Sequence, residues 1–218
     1  MTFEDNMDFV EAFEQKICGY TGFKYATCVD CCTNGILLAL ESMTYKDGLN
    51  KDECVLQIPR RTYMSVPMTL WNNGWKIRLV DVPWLCSYRI SPVDVYDAAT
   101  DFHENMAASY KDGDIVCVSF QQKKRLPLGR GGAVLYNDGK YDGVLKRLRY
   151  DGRNPRISDR TELLEDPGRI MLGYHCYMEP DKAARGILML NQPGCMKAYA
   201  RYSSDEYEDL VRIEGLFR

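Results

Sequence analysis

The stretch Tyr25-Ala26-Thr27-Cys28-Val29-Asp30-Cys31-Cys32-Thr33-Asn34-Gly35-Ile36-Leu37-Leu38-Ala39-Leu40 decides the fold. Tyr25 to Val29 is a short run of aromatic, β-branched and small residues of the kind a strand prefers. Polar Asp30 to Asn34 then turns the chain, and Ile36, Leu37, Leu40 and Met43 recur at the spacing that places them on one helical face. Strand, tight polar turn and helix make the first half of a βαβ unit, so the predicted class is α/β.

The alternation continues outward from this unit. Upstream, Phe9, Val10, Phe13 and Ile17 share one face of a helix predicted over Phe3–Cys18, with Gly19 and Gly22 as its stop. Downstream, strands are predicted at Cys54–Ile58, Lys76–Asp81, Val93–Tyr96, Ile115–Ser119 and Gly132–Tyr136, with a helix at Val66–Asn72. Short apolar runs of this type suit strands covered on both faces, which predicts a mainly parallel sheet sandwiched by helices, with ligands near the carboxyl ends of the strands. The second half is less regular. It reads as a basic helix at Tyr141–Arg149, a polar loop over Arg153–Gly168, a helix from Glu179 to about Leu190, and a charged tail helical from Ser204 to Leu216.

Composition narrows the function. With 218 residues, 45% of them apolar and 27% charged, the chain has the make-up of a folded globular protein with a full core. A net charge of -3 supplies no basic field for nucleic acid, and the run Lys123-Lys124-Arg125 is of a kind that is usually solvated. No apolar run approaches the roughly 20 residues that span a bilayer, and Met1 to Asp8 carries acids where a leader wants lysine or arginine. A cytoplasmic protein with no nucleic-acid or membrane partner is predicted. Nine cysteines, an odd number, argue against a disulfide framework. Cys28, Cys31 and Cys32 approach a metal knuckle, but no second pair answers them and the only histidines are His103 and His175, so the cysteines read as buried thiols.

Three features could carry chemistry. Lys124 lies just past the strand ending at Ser119 and ahead of Gly129-Arg130-Gly131-Gly132, where an amine could meet a ligand at the mouth of the sheet. Asp97 ends the strand Val95-Tyr96 and must find a cation or hydrogen bonds if it is to stay ionised, although an acid there also suits a helix cap. The turn Cys31-Cys32-Thr33-Asn34 offers free backbone N–H groups at a helix start, an anion site without the glycine pattern of a Walker or Rossmann loop.

From Phe13 through Leu190 these pieces stand in an order that resembles the DegT/StrS-type aminotransferases, pyridoxal-phosphate enzymes of fold type I that mostly aminate nucleotide-linked keto sugars. The resemblance rests on Phe13-Glu14 to Ala26, Thr33 to Leu40, Ile58-Pro59 to Tyr63, Val80-Asp81-Val82, Tyr96-Asp97-Ala98-Ala99, Ser119-Phe120 to Lys124, Gly129 to Ala133, and Gly173-Tyr174 to Gly186. It implies pyridoxal 5'-phosphate as cofactor, Lys124 at the Schiff-base position and as proton shuttle, and Asp97 against the pyridine nitrogen. It also implies Tyr63 stacked on the ring, and Ser119, Cys32 and Thr33 at the phosphate.

The same resemblance exposes departures. Cys32 replaces a glycine; Thr100 replaces a glutamine that reaches the ring hydroxyl; His175 replaces an asparagine that a neighbouring subunit offers to the phosphate. Tyr177 stands where arginine is common, and Arg130 reverses the charge of a glutamate. Only a dozen or so residues lie between Val82 and Val95, where relatives carry a helix–strand–helix excursion. A division follows into a large domain over 1–190 and a helical tail over 191–218 in place of a small domain. Two readings result: a homodimeric aminotransferase moving an amino group from an amino acid, with glutamate the family habit, to a keto sugar; or a non-catalytic relative acting as a binding module. Retention of Lys124 counts against the dehydratase branch, in which that lysine is replaced.

Overall fold

In the computed structural model, residues 6–157 and 170–217 are described. Helix α1 (Asn6–Thr21) leads into β1 (Tyr25–Val29) and then α2 (Cys32–Asp47), the strand–turn–helix unit that the pattern requires. Gly48 closes α2 in the left-handed region at φ 68°, its N–H returning to the Met43 carbonyl. β2 (Val55–Pro59), α3 (Ser65–Asn72) and β3 (Lys76–Val80) follow as a second βαβ unit. Then come β4 (Tyr88–Ile90), β5 (Val95–Asp97), β6 (Ile115–Ser119), β7 (Gly132–Tyr136), α4 (Asp142–Leu148) and α5 (Pro180–Asn191).

The main sheet has the order β1-β7-β6-β5-β4, while β2 and β3 pair parallel as a separate two-stranded sheet. β5 and β6 are parallel; β7 runs against β1 and β6, and β4 runs against β5. The sheet is therefore mixed, with β1, β5 and β6 pointing one way. An antiparallel bridge from Gln57 to Ser91 links the small sheet to the chain just past β4, with Gln57 N–H donating to the Ser91 carbonyl at 2.6 Å.

Strand alternation divides the core in two. Ile115 and Cys117 of β6 face the layer of α2, α3 and α4, whereas Val116 and Val118 face the layer of α1 and α5. β7 does the same, with Val134 and Tyr136 on the first side and Ala133 and Leu135 on the second. α2 is buried beyond its predicted stripe: Ile36 through Leu40 are all inside, and Gly35 lets the helix lie against Val29 and Val134, which a Cβ would meet at 3.3–3.4 Å. On the far side α5 meets α1 so closely that a Cβ at Gly186 would run into the Phe13 ring.

A buried ion pair ties the layers together. Glu14 Oε1 accepts from the Cys28 N–H at 2.7 Å and from Arg149 Nη1, which also donates to the Cys28 carbonyl at 2.7 Å. Burial pushes the Glu14 carboxyl up, against the pull of the Arg149 guanidinium beside it.

Two segments differ from expectation. The short span between β3 and β5 forms β4, a three-residue strand in a hairpin with β5 that propensity did not single out. The tail is not one helix over Ser204–Leu216: two 3-10 segments, Ser204–Glu206 and Leu210–Phe217, are separated where the backbone bonds elsewhere, Leu210 N–H reaching the Arg60 carbonyl. Most of the loop predicted over Arg153–Gly168 lies outside the described residues, as does the start of the first predicted helix.

Candidate active site

β5 and β6 end side by side, with β1 pointing the same way beyond β7, and a cavity of about 670 Å³ opens at these carboxyl ends against the start of α2. Lys124, Asp97, Tyr63, Ser119, Cys32, Thr33 and Thr100 all line it.

Asp97 closes β5 and is 6% exposed. Its Oδ2 accepts from the Tyr88 hydroxyl at 2.8 Å and its Oδ1 from the Ala99 N–H at 3.0 Å, the latter a cap-like bond that suits the chain turning away from the strand. Because the Tyr88 proton goes to Asp97, the Thr62 hydroxyl, 2.7 Å away, donates to the Tyr88 oxygen. Burial pushes the Asp97 carboxyl above its usual range, and the bonds from Ala99 and Tyr88 and the Lys124 charge hold that rise back.

Lys124 sits on the β6–β7 connection, its N–H bonded to the Gln121 carbonyl at 2.8 Å. Burial draws its ammonium pKa below the usual lysine range, while the Asp97 charge opposes the shift. Lys123, the neighbouring amine, is exposed.

The third wall is the beginning of α2. Cys31 stands at its N-cap with extended backbone and no capping side chain, so the first turn keeps N–H groups for a ligand. Thr33 and Ser65 share a hydroxyl bond of 2.7 Å there, and the Ser119 hydroxyl accepts from the Gln121 N–H at 3.3 Å. Gly132 makes the approach possible: a Cβ there would lie 2.6 Å from Cys32 N and 2.7 Å from the Val118 carbonyl. The Cys32 thiol lies 3.9 Å from Asp97 Oδ1, and burial pushes its pKa well up, so it stays a neutral thiol.

The remaining residues are placed differently. Tyr63 is 63% exposed at the rim, and Thr100 spends its hydroxyl on the Cys86 carbonyl at 2.6 Å. Arg130 is held at the edge by Asp30 at 2.8 Å. His175 is not brought to the cavity of its own chain; it is exposed, pairs with Asp151 at 3.0 Å, and its ring meets Tyr177. Sequence reasoning missed Thr62 and Tyr88, which act through Asp97, and Tyr202, Glu206 and Tyr207, which the tail carries to the mouth. Among the described residues no three His, Cys, Asp or Glu side chains gather as a metal site, and no helix is long and apolar enough to cross a membrane.

The arrangement can bind an anion at a helix start, face a cation with a buried carboxylate, and present an amine whose pKa burial has lowered. A model of the DegT/DnrJ/EryC1/StrS aminotransferase family matches residues 3–108 and 93–193. No curated protein sequence matches the chain. Among solved structures, NtdA from Bacillus subtilis with bound cofactor PMP is similar at a TM-score of 0.65 and 16% identity, over 84% of this chain and 47% of that one. A sugar aminotransferase from Micromonospora echinospora is similar at a TM-score of 0.64 and 18% identity, over 84% and 60%. GDP-4-keto-6-deoxymannose-3-dehydratase with a trapped PLP-glutamate geminal diamine is similar at a TM-score of 0.62 and 16% identity, over 84% and 60%. These likenesses show the fold, and the chain spans 47% to 60% of the length of those three proteins.

Proposed function

Since the chain belongs to the DegT/DnrJ/EryC1/StrS aminotransferase family, we propose that it is a pyridoxal-phosphate aminotransferase moving an amino group from an amino acid, glutamate for preference, to a nucleotide-linked keto sugar. The observation that carries this reading is the meeting of Asp97 and Lys124 in one cavity, from the end of β5 and from the β6–β7 connection.

The residues fit the cofactor. A cavity of about 670 Å³ falls within the roughly 300–1,000 Å³ typical of ligand sites. A carboxylate buried as deeply as Asp97 is disfavoured as an anion until a cation faces it, and a protonated ring nitrogen is such a cation. The uncapped start of α2, with Thr33 and Ser119 beside it, suits a phosphate.

When bound, the cofactor supplies an electron sink for negative charge at the substrate's α-carbon. Asp97 would keep the proton on the ring nitrogen, with Tyr88 and Ala99 fixing its two oxygens. Lys124 would anchor the group and move a proton at the α-carbon, a task helped by a pKa lowered toward the working range. Ser119, Thr33 and the Cys32 backbone would hold the phosphate, and Tyr63 would cover one face of the ring. Thr100, its hydroxyl proton committed to the Cys86 carbonyl, would meet a ligand only as an acceptor.

Two features support a homodimer. Tyr63 is largely exposed at the rim, and His175 stands exposed outside its own cavity, where a second copy could meet it. All nine cysteines are free thiols, as a reducing compartment such as the cytoplasm keeps them.

The test is reconstitution. Protein mixed with pyridoxal phosphate should gain a visible absorption band, and borohydride should fix the cofactor mass onto the peptide containing Lys124. An unchanged band in Lys124→Ala, or no band in the unaltered protein, defeats the proposal. Sedimentation of the loaded protein reports the dimer.

A further inference from the structure

Segment 197–210 runs as a strap over the mouth of the cavity, bonded by its backbone to three separate stretches of chain. Lys197 N–H donates to the Arg125 carbonyl at 2.8 Å, and Tyr202 and Ser204 exchange bonds with Cys86 and Trp84 at 2.7 and 3.0 Å. Leu210 N–H donates to the Arg60 carbonyl at 2.8 Å. Side chains reinforce the crossing: the Tyr199 hydroxyl donates to Asp101 at 2.6 Å, and the Tyr207 ring packs on Trp84 with centroids 5.2 Å apart. Tyr202, Glu206 and Tyr207 then line the cavity.

Lys124 is the residue most affected. Its four-carbon stem gives the ammonium wide freedom, and among the described residues no hydrogen bond holds it. Asp97 and Glu206 act on it by charge, and a ring faces it: Nζ lies 5.2 Å from the centroid of Tyr202, within the range of a cation–π contact. We infer that the strap is a wall of the site and that Tyr202 is a positioning residue, its ring face fixing where the Lys124 amine waits. The placement of Lys124 stands on this geometry alone, whereas its use in amino transfer rests on the cofactor reading above.

Tyr202 is only half-buried, so its replacement should leave the core intact. Trace acetylation of the full chain with acetic anhydride, followed by mass spectrometry, gives the reactivity of Lys124 relative to exposed Lys46. In Tyr202→Ala that ratio should rise about 3–5-fold, and Tyr202→Phe, which keeps the ring, should stay within about twofold of the unaltered protein. Equal ratios in the unaltered protein and Tyr202→Ala overturn the inference, as does Tyr202→Phe behaving like Tyr202→Ala. A second measurement needs no variant: hydrogen exchange at the Ser204 and Leu210 amides should be slow, and exchange as fast as in a free peptide would refute the wall. Added pyridoxal phosphate should protect Lys124 from acetylation; lack of protection sinks the cofactor reading while leaving the contrast between the two variants to decide the role of Tyr202.

Discussion

Tyr88 gives its hydroxyl proton to Asp97 across 2.8 Å, and Thr62 in turn gives its own to Tyr88 across 2.7 Å. The carboxylate at the end of β5 is therefore oriented by a chain of two donors reaching from the segment after β2 through β4. Tyr88→Phe should remove one donor and leave Thr62 unpaired, at about 1–3 kcal/mol of stability. Cofactor affinity should fall about tenfold, since one charge-assisted bond is worth that much. Chemical denaturation and titration with pyridoxal phosphate measure the two effects, and Thr62→Val should show a weaker version of both.

The protonation of Asp97 gives a pH-dependent expectation for the cofactor-free protein. Its folded pKa is raised by burial, so the folded state holds that proton to higher pH than the unfolded chain does. The stability from this group is present in full below the unfolded value near 3.8 and is lost as pH rises through the folded value. Asp97→Asn should therefore gain stability relative to the unaltered protein as the pH is raised from about 4 to 7, read by urea unfolding at each pH. With cofactor the order reverses in activity: the amide cannot hold the ring proton, and turnover should fall about 100-fold or more.

Glu14 and Arg149 are both buried and pair around the Cys28 backbone. Glu14→Ala leaves a buried guanidinium without its counter-charge and should cost about 3–5 kcal/mol. Glu14→Gln, which keeps an acceptor for the Cys28 N–H, should cost less. Urea denaturation of both variants tests the ranking, and equal losses would contradict it.

Gly132 is where β7 passes the start of α2. A Cβ at 2.6 Å from Cys32 N and 2.7 Å from the Val118 carbonyl meets backbone on both sides, which cannot rotate away. Gly132→Ala should destabilise by about 3 kcal/mol and weaken phosphate binding with it, because the helix start that would hold the anion must shift. Thermal unfolding and a titration with inorganic phosphate check the pair.

The elements legible from the sequence were those buried by the sheet itself. β6 and β7 carry short runs of apolar residues because both of their faces are covered, and their observed bounds match the predicted ones. β4 was illegible because Tyr88-Arg89-Ile90 has no pattern of its own and exists as a partner for β5. The tail misled in the other direction: its apolar spacing reads as a helix, but Arg61 Nη1 binds the Tyr207 carbonyl and Leu210 N–H binds Arg60, so docking wins over local periodicity. Asp97 and Lys124 stood out because they end strands or follow them. Tyr88, Thr62 and Tyr202 did not, since their parts are played through other side chains and leave no mark in a single sequence.

The Gln57–Ser91 bridge has a mechanical meaning. Ser65 and Tyr63 ride on the small sheet's side of the cavity, whereas Asp97, Ser119 and Lys124 ride on the large sheet's side. The two sides meet through local bonds, among them Gln57 to Ser91 and Thr62 to Tyr88, and through one apolar core in which Leu56, Ile58, Val66 and Leu70 join Ile36, Ile90 and Val95. Both walls of the pocket are therefore keyed to one core and are spanned by the strap tied at Arg125 and Arg60, so that repacking any one of those core side chains would be felt on both sides of the pocket.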